Sequence, residues 1–501
     1  MISRLEIEEK WLEKLRPKKN KKKHTYVHFD NKINNPKEFL PLVSNEYKVA
    51  SHAFLPFVKF DKHKYKYKDV PESGKRVLVK KDKQSGERKV REIMYAGHLD
   101  TLIYVWYQSI LEILYEKALT KYGLSSTVLA YRRIQNENSS GGKCNINFAN
   151  EIFAEIKNKG EECVALTFDI EKFFPSLSHE HLKKKWCEIL EETILPKDHY
   201  NIFRSLTQYS YVDLTSKDIK KLLKYRTKGQ FAHTHAFFEG KYFSGEKFRK
   251  IKFQIRALER SSGKFIFCKN YLKKGIPQGS PMSGLLANIY MIDFDKNINQ
   301  MVEKAGGIYK RYSDDIITVI PKNEASNIEN AIRKRIKLEN DYERNPYLVI
   351  KEEKTNRTIF LKERSRLISW KLDDKYNAVH RQPLQYLGFE FDGQDVFLRA
   401  GSIAKFYNQL RFGLKKIEAC YEKGPLLKRN LFSKFTPLGK KNFFSYVKKS
   451  QEVISNNKFK KQLRKHWPLM ARTIEKLEIK YGSSIKTSIT TMVSCCQQKH
   501  C

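Results

Sequence analysis

Long hydrophobic stretches are absent from this sequence. No run of about 18 apolar residues occurs anywhere in the chain, which argues against a membrane-spanning segment. The first residues, MISRLEIEEKWLEKLRPKKN, are charged throughout and lack the apolar core of a secretion signal. We therefore expect a cytoplasmic protein with no membrane partner. Internal repeats and low-complexity tracts other than short lysine runs are also missing.

Cysteine is sparse. The eight cysteines are scattered along the chain except at its end, which favours reduced thiols over a disulfide framework. The end of the chain carries Cys495, Cys496, His500 and Cys501. Their spacing matches no familiar zinc pattern, and we expect no metal ion there.

Acidic residues are few compared with basic ones. The 501 residues include 97 Lys and Arg against 56 Asp and Glu, a formal net charge of +41. Such a surface favours a polyanionic partner, most often nucleic acid bound through its phosphates, and the alternative is a highly soluble surface without a partner. The hydrophobic fraction of 40% and the aromatic fraction of 13% exclude wholesale disorder. The chain is long enough for about three domains.

Composition and periodicity divide the chain into three parts. Residues 1–75 form a basic N-terminal extension, and the alternating pattern KHKYKYK at 62–68 fits either a half-buried edge strand or a surface that stacks on bases. Residues 76–395 begin with a predicted basic hairpin around Ser85-Gly86, and then short apolar runs alternate with helical patterns. This order predicts an α+β domain with a mainly antiparallel sheet. Residues 396–501 are helical and basic.

Three acidic residues stand at the ends of apolar runs. Asp169 ends CVALTFD, and Asp314 and Asp315 interrupt IYKRYSDDIITVI. An ionised carboxylate near a core costs several kcal/mol unless it is paired or bound to metal. Carboxylate oxygens suit Mg²⁺, and two such ions would support an in-line phosphoryl displacement. The alternative is that the adjacent acids only turn a hairpin.

A glycine-rich loop lies between the two acidic sites. The segment KKGIPQGSPMSGLLANIYM, residues 273–291, contains Gly275, Gly279 and Gly284 just before a predicted apolar helix. Residues without side chains let the backbone approach a nucleobase or a sugar closely. An ordinary loop that leads into a helix is the alternative.

Taken together, FDIEKFFPSL, IPQGSPMSGLLAN and YSDD resemble motifs A, B and C of reverse transcriptases, in the family's order. VREIMYA resembles the fingers segment, LVIKEEKT resembles motif D, and LQYLGFEF resembles motif E, the primer grip. The resemblance covers about 76–395 and implies a right-hand polymerase fold. Fingers and palm, an antiparallel sheet backed by helices, are then followed by a helical thumb in 396–501. The distance between motifs A and C predicts an insertion near 195–262.

The resemblance implies an RNA-directed DNA polymerase that transfers nucleotides with two Mg²⁺ ions. Asp169 and Asp314 match the residues that ligate both ions with the help of the Ile170 carbonyl, and Asp315 lies beside them. The implied partners are an RNA template, deoxynucleoside triphosphates and the DNA product. The primer is either a 3′-OH or a protein hydroxyl.

The resemblance also assigns residues that hold the nucleotide and the primer. Phe174 matches the steric gate against a ribose 2′-OH, Gln278 lies beside the incoming sugar and base, and Arg91 holds the triphosphate. Lys354 matches the lysine that protonates the leaving pyrophosphate. The alternatives are a core aromatic for Phe174 and a surface cation for Lys354. Primer and template contacts are assigned to Tyr312 and Gly388.

Departures from the common pattern narrow the family. The tetrad reads YSDD where group II intron and retron enzymes usually have YADD, and no endonuclease, RNase H or protease motif is seen. The insertion, together with AYRRIQNENSSGGKCNINFANEIF, resembles bacterial abortive-infection and defence-associated reverse transcriptases. That implies antiphage defence with a structured non-coding RNA. The alternatives are a retron or group II intron-like enzyme and a non-catalytic, maturase-like RNA-binding scaffold. A homo-oligomer is left open.

Overall fold

The structure is a computed structural model of the 501-residue chain. It describes residues 2–16, 26, 28–30, 32–63, 66–70, 75–79, 90–136, 141–160, 162–213, 252–253, 255–257, 259–261, 263, 265–338, 347–419, 431–455 and 458–481. The C-terminal cluster of Cys495, Cys496, His500 and Cys501 lies outside the described residues, as does much of the predicted insertion.

Helices and strands alternate along most of the described chain. The helices are α1 (Arg4–Leu15), α2 (Leu40–Val43), α3 (Glu46–Ala50), α4 (His98–Lys121), α5 (Asn145–Lys159), α6 (His179–Leu190), α7 (Lys197–Thr207), α8 (Ser283–Tyr290), α9 (Ile292–Lys304), α10 (Ala325–Leu338), α11 (Ala400–Ala419), α12 (Phe443–Ile454), α13 (Lys458–Leu463) and α14 (His466–Tyr481). The strands are β1 (Phe57–His63), β2 (Lys66–Val70), β3 (Lys75–Val79), β4 (Val90–Tyr95), β5 (Cys163–Asp169), β6 (Ser210–Asp213), β7 (Phe267–Lys269), β8 (Ile308–Tyr312), β9 (Asp315–Pro321), β10 (Asn356–Glu363), β11 (Arg366–Leu372), β12 (Ala378–Arg381), β13 (Leu384–Tyr386), β14 (Phe389–Phe391) and β15 (Val396–Leu398).

A six-stranded antiparallel sheet, in the order β12-β11-β10-β5-β9-β8, forms the centre of the molecule. Successive side chains of a strand point to opposite faces, so a strand covered on both faces needs an unbroken apolar run. In β5, Val164 and Leu166 join the core that contains α4, α6 and α8, whereas Cys163 and Ala165 join the core that contains α5 and β14. This two-sided burial explains why the run CVALTFD carries no charge before Asp169, where the strand ends.

Four other strands form a second sheet, in the order β4-β1-β6-β7. β1 pairs antiparallel with β4 and parallel with β6, and β6 pairs antiparallel with β7. The predicted hairpin around Ser85-Gly86 lies outside the described residues and stays a prediction. On either side of it, β3 pairs with β2 and β4 pairs with β1.

The last part of the described chain is helical, with a small three-stranded sheet of β13, β14 and β15 before it. The aromatic rings of Phe389, Phe391, Phe406 and Phe459 are buried in one shared core that joins this sheet to α11 and α13. The predicted fold class, α+β with an antiparallel sheet backed by helices and followed by a helical segment, is confirmed. In the described part of the chain, every helix is too short or too polar to cross a membrane.

Candidate active site

Three carboxylates meet at one end of the central strands. β8 and β9 form a hairpin in which Tyr312 pairs with Asp315, so that Ser313 and Asp314 are the two turn residues. Ser313 has a φ of 62°, the left-handed conformation that tight hairpin turns require and that side chains other than glycine rarely adopt. Asp169, the last residue of β5, lies directly opposite Asp315. The tight turn therefore brings Asp314 and Asp315 to the end of the strand that carries Asp169.

Backbone hydrogen bonds fix the end of β5 on both sides. The Ile170 N–H donates to the Asp314 carbonyl over 3.1 Å, and the Lys351 N–H donates to the Asp169 carbonyl over 3.1 Å. Ile170 also forms an isolated bridge with Ile350. The segment that resembles motif D therefore lies against Asp169 on the side away from the hairpin.

Negative charge is crowded at this point. Partial burial raises the pKa of Asp315 to about 7, and the neighbouring carboxylates of Asp314 and Asp169 add to this rise. Lys354 and Arg399 oppose it, and the Lys354 ammonium also forms an ion pair with the Asp169 carboxylate. The carboxylates of Asp314 and Asp169 still raise the pKa of Asp315 in spite of these cations, so the site can accept further positive charge.

The donors at this site suit a hard divalent cation. The donors expected here are all oxygens, namely the carboxylates and the carbonyl of Ile170. Among the residues the structure describes, no group of three or more His, Cys, Asp or Glu side chains is arranged to enclose a metal ion. Mg²⁺ needs no such enclosure, because it is commonly held by one or two carboxylates together with substrate phosphates. The residues present therefore fit a magnesium site that is completed by a nucleotide.

Phe174 is hydrogen-bonded to the glycine-rich loop through its main chain. It opens a short 3₁₀ turn, Phe174–Ser176, and its side chain is buried. The Ile276 N–H donates to the Phe174 carbonyl over 3.1 Å. Gly275 has a φ of 90°, and a Cβ there would lie 2.9 Å from the Pro175 carbonyl oxygen. Only glycine allows the loop to run this close to the segment that carries Phe174.

Gln278 and Arg91 are linked through the backbone of β4. The Met94 N–H donates to the Gln278 carbonyl over 2.9 Å. The next residue, Gly279, has a φ of 123°, and a Cβ there would lie 2.5 Å from the Met94 carbonyl oxygen. Arg91 is exposed near the start of β4, and Gln278 is half-buried. The loop and the fingers-like strand therefore meet where the sequence predicts a nucleotide.

Gly388 lies in the turn between β13 and β14. Leu387 and Gly388 both have positive φ, as a two-residue hairpin turn often requires. The Asn145 side chain donates to the Leu387 carbonyl over 3.0 Å and to the Tyr446 hydroxyl over 3.1 Å, which joins the turn to α5 and α12. The other residue predicted to contact primer or template, Tyr312, is half-buried at the end of β8, with its ring tilted against that of Phe148.

Sequence reasoning missed a buried ion pair beneath the acidic turn. Arg311 donates to both carboxylate oxygens of Asp295 over 2.7 and 2.6 Å, and both side chains are fully buried. Its remaining nitrogen donates to the Asn288 side chain over 3.2 Å and to the Ser313 carbonyl over 3.1 Å. The signal in the sequence is a charged residue at an inward position of β8, but its partner on α9 is not evident from spacing.

Two further residues near the acidic cluster were not predicted. Arg399 follows β15, and its N–H donates to the Gly388 carbonyl over 3.0 Å. The charge of its side chain lowers the pKa of Asp315. Through its main chain and its side chain, Arg399 therefore links the Gly388 turn to the carboxylates. Tyr131 also lies at the acidic turn, and its hydroxyl is 3.0 Å from the Ser313 hydroxyl. Neither position stands out from local sequence pattern.

Comparisons with known proteins agree with this architecture. Residues 115–391, more than half of the chain, match the family profile described as reverse transcriptase (RNA-dependent DNA polymerase). No curated protein sequence matches the chain.

Similar solved structures include apo telomerase from Candida tropicalis, truncated from its C-terminal domain, with 12% identity and a TM-score of 0.36 over 72% of this chain and 60% of that chain. Telomerase from Candida albicans in complex with a TWJ fragment of telomeric RNA is similar with 13% identity and a TM-score of 0.36, over 94% of this chain and 73% of that chain. This chain thus spans 60% of the length of the truncated Candida tropicalis chain.

Proposed function

Because this chain belongs to the reverse transcriptase family, we propose that it copies an RNA template into DNA from deoxynucleoside triphosphates. The observation that carries the proposal is the meeting of Asp169, Asp314 and Asp315 at one end of the central strands. In the reaction, the primer hydroxyl oxygen forms a bond to the α-phosphorus of the nucleotide. The bond from that phosphorus to the bridging oxygen breaks, and pyrophosphate leaves.

We propose that Asp169 and Asp314, with the Ile170 carbonyl, hold two Mg²⁺ ions and that Asp315 balances the charge beside them. When bound, the ions activate the attacking hydroxyl and stabilise the leaving group. The chain's own part is to hold these oxygens at the ends of β5 and β9. Burial raises the pKa of Asp315 to about 7, and the neighbouring carboxylates of Asp314 and Asp169 add to this rise; that crowding supports the assignment, because a divalent cation would relieve it.

Lys354 is the proposed proton donor to the departing pyrophosphate. Its ion pair with Asp169 keeps the ammonium next to the proposed metal ligands, although the ammonium itself is not a metal ligand. A lysine beside phosphates can supply the proton that the leaving oxygen needs. The contact between the segment that resembles motif D and β5 supports this position, since the Lys351 N–H donates a hydrogen bond to the Asp169 carbonyl.

The nucleotide is proposed to bind between the glycine-rich loop and β4. Arg91 holds its triphosphate, Gln278 lies beside the sugar and base, and Phe174 excludes a ribose 2′-OH. The Ile276 N–H of the loop donates to the Phe174 carbonyl, and the Met94 N–H donates to the Gln278 carbonyl of the loop; these bonds support a pocket in which the three residues act on one ligand.

The primer and template are proposed to contact Tyr312 and the Gly388 turn. We propose that residues 76–395 are the fingers and palm and that 396–501 are a basic thumb that grips the duplex through its phosphates. The link from Gly388 to Tyr446, made through Asn145 and Leu387, supports a joint between primer grip and thumb.

We further propose that the protein acts in bacterial antiphage defence with a structured non-coding RNA. The support is the resemblance of the insertion near 195–262 and of AYRRIQNENSSGGKCNINFANEIF to defence-associated reverse transcriptases. β6, within that region, pairs with β7, just after it, and β6 also pairs with β1. An insertion attached to the edge of this sheet could contact RNA without disturbing the acidic cluster.

The test is to purify the protein with its bound nucleic acid, sequence that nucleic acid, and follow labelled dNTP incorporation with Mg²⁺. We expect a defined RNA and a growing DNA product from the wild type, and no product from Asp314→Asn. The matched control is Asp374→Asn, an exposed carboxylate that lines a cavity with Cys163 and Pro321 at the opposite end of the same strands. RNA binding without incorporation by the wild type would favour the non-catalytic scaffold.

A further inference from the structure

Tyr131 adopts a strained backbone conformation at the acidic turn. Its φ is 62°, in the left-handed region that bulky residues rarely occupy, yet 49% of its side chain is exposed. Strained residues of this kind cluster at functional sites, where the surrounding structure holds them in place.

The ring of Tyr131 lies between the glycine-rich loop and Phe174. A Cβ at Gly284 would lie 2.6 Å from the Tyr131 ring, so the absence of a side chain at that position makes room for the ring. The ring also meets the Phe174 ring edge to face, with 6.2 Å between centroids. Such a contact favours a fixed geometry of the two rings. Tyr131 therefore packs against the Phe174 ring and helps to hold it in place.

The hydroxyl of Tyr131 reaches the catalytic turn. It is 3.0 Å from the hydroxyl of Ser313, which is buried, and Arg311 holds the Ser313 carbonyl from below. Burial raises the pKa of the Tyr131 hydroxyl, and the charge of Asp314 adds to this rise while Arg91 opposes it. The neutral hydroxyl remains a hydrogen-bond partner. The tetrad's serine, where many relatives have alanine, thus has a specific partner in this chain.

We propose that Tyr131 sets both the sugar selectivity and the alignment of the acidic turn in nucleotide transfer. The ring fixes Phe174 against the sugar of the incoming nucleotide, and the hydroxyl fixes the turn that presents Asp314. Tyr131 is a positioning residue, and the inference rests on the proposed polymerase function. The ligand is a deoxynucleoside triphosphate whose 2′ carbon faces the Phe174 ring.

The hydroxyl contact is tested with Tyr131→Phe, Ser313→Ala and the double variant, each checked for folding by its thermal unfolding curve. Loss of one hydrogen bond predicts that kcat falls about fivefold in each single variant, with KM for the dNTP unchanged. Because both substitutions remove the same bond, the double variant should be no slower than either single one. Effects that multiply in the double variant would overturn the proposed contact.

The ring contact is tested with Tyr131→Ala. The measured quantity is the ratio of kcat/KM for a dNTP to that for the matching rNTP, which we expect to fall about tenfold because Phe174 loses its support. Tyr131→Phe keeps the ring and should keep the ratio. Tyr200→Ala is the matched control, because Tyr200 is 43% exposed and makes none of these contacts. An unchanged ratio in Tyr131→Ala would overturn the inference.

A failure of the proposed function can be told apart from a failure of this inference. If the wild type forms product and the Tyr131 variants match it, only the inference fails. If the wild type forms no product, equilibrium binding of a dNTP and of the matching rNTP, measured with Mg²⁺, replaces the kinetic ratio. The inference predicts that the wild type binds the dNTP more tightly than the rNTP and that this difference in affinity is smaller in Tyr131→Ala. Equal affinity of the wild type for the dNTP and the rNTP would overturn it.

Discussion

The buried ion pair beneath the acidic turn gives a prediction for both stability and activity. Arg311→Met leaves the Asp295 carboxylate buried with only the Tyr309 hydroxyl as a described donor, at 2.7 Å. The Asn288 side chain and the Ser313 carbonyl each lose a hydrogen bond as well. Breaking a buried pair by removing one partner costs about 3–5 kcal/mol, so we expect a loss of that size in the free energy of unfolding.

The double variant Arg311→Met/Asp295→Leu separates stability from activity. Replacing both charges with apolar side chains of similar volume is often neutral, so we expect most of the lost free energy of unfolding to return. The rate of dNTP incorporation should stay low, because the Ser313 carbonyl still lacks its donor. Urea unfolding and a single-turnover incorporation assay measure the two quantities.

The matched control is Arg381→Met, which removes an exposed pair with Glu363. Exposed pairs contribute about 0–1 kcal/mol, so this variant should be close to wild type in both assays. A cost for Arg311→Met as small as that of the control would refute the stability argument. A double variant with the wild-type rate would refute the idea that the ion pair positions the turn.

Three further predictions concern separate parts of the molecule. Gly279→Ala should destabilise the loop and raise KM for the dNTP, because the new Cβ would lie 2.5 Å from the Met94 carbonyl oxygen. Gly401→Ala, with open space around it, should leave KM unchanged. Equal KM values in the two variants would contradict this prediction. Lys354→Met should lower kcat on the order of a hundredfold in rapid-quench assays, and an unchanged kcat would exclude its role as proton donor. Burial lowers the pKa of His199 to about 4, below its unfolded value of about 6.5, so its contribution to stability is complete above pH 6.5 and is lost as the pH falls toward 4. The unfolding temperature should therefore fall less steeply with acid in His199→Gln, and identical slopes would contradict this.

Local sequence pattern was sufficient where neighbouring residues determine the structure. The apolar run before Asp169 became β5, and the paired acids of YSDD lie at a tight hairpin. The glycines at 275 and 279 occupy positions where φ is positive and another backbone lies close, as a loop built for close approach requires. These features depend on strand period and turn chemistry, which the sequence displays directly.

Features that depend on distant partners could not be predicted. The partner of Arg311 lies on a helix before the hairpin, and Tyr131 reaches Ser313 across 182 positions of sequence. The pairings of β4 with β1 and of β3 with β2 are likewise not evident from the sequence alone. A single sequence shows which buried polar residues require a hydrogen-bond or ion-pair partner, but it does not show which residue the fold places beside them.

The hydrogen bond from the Met94 N–H to the Gln278 carbonyl has a consequence for how such an enzyme can change over time. The bond joins β4 to the glycine-rich loop through main-chain atoms alone. A substitution of the Gln278 side chain, which we propose to lie beside the sugar and base, would leave this joint between strand and loop intact. In the proposed polymerase, nucleotide preference and the link between strand and loop can therefore vary independently, provided that position 279 remains glycine.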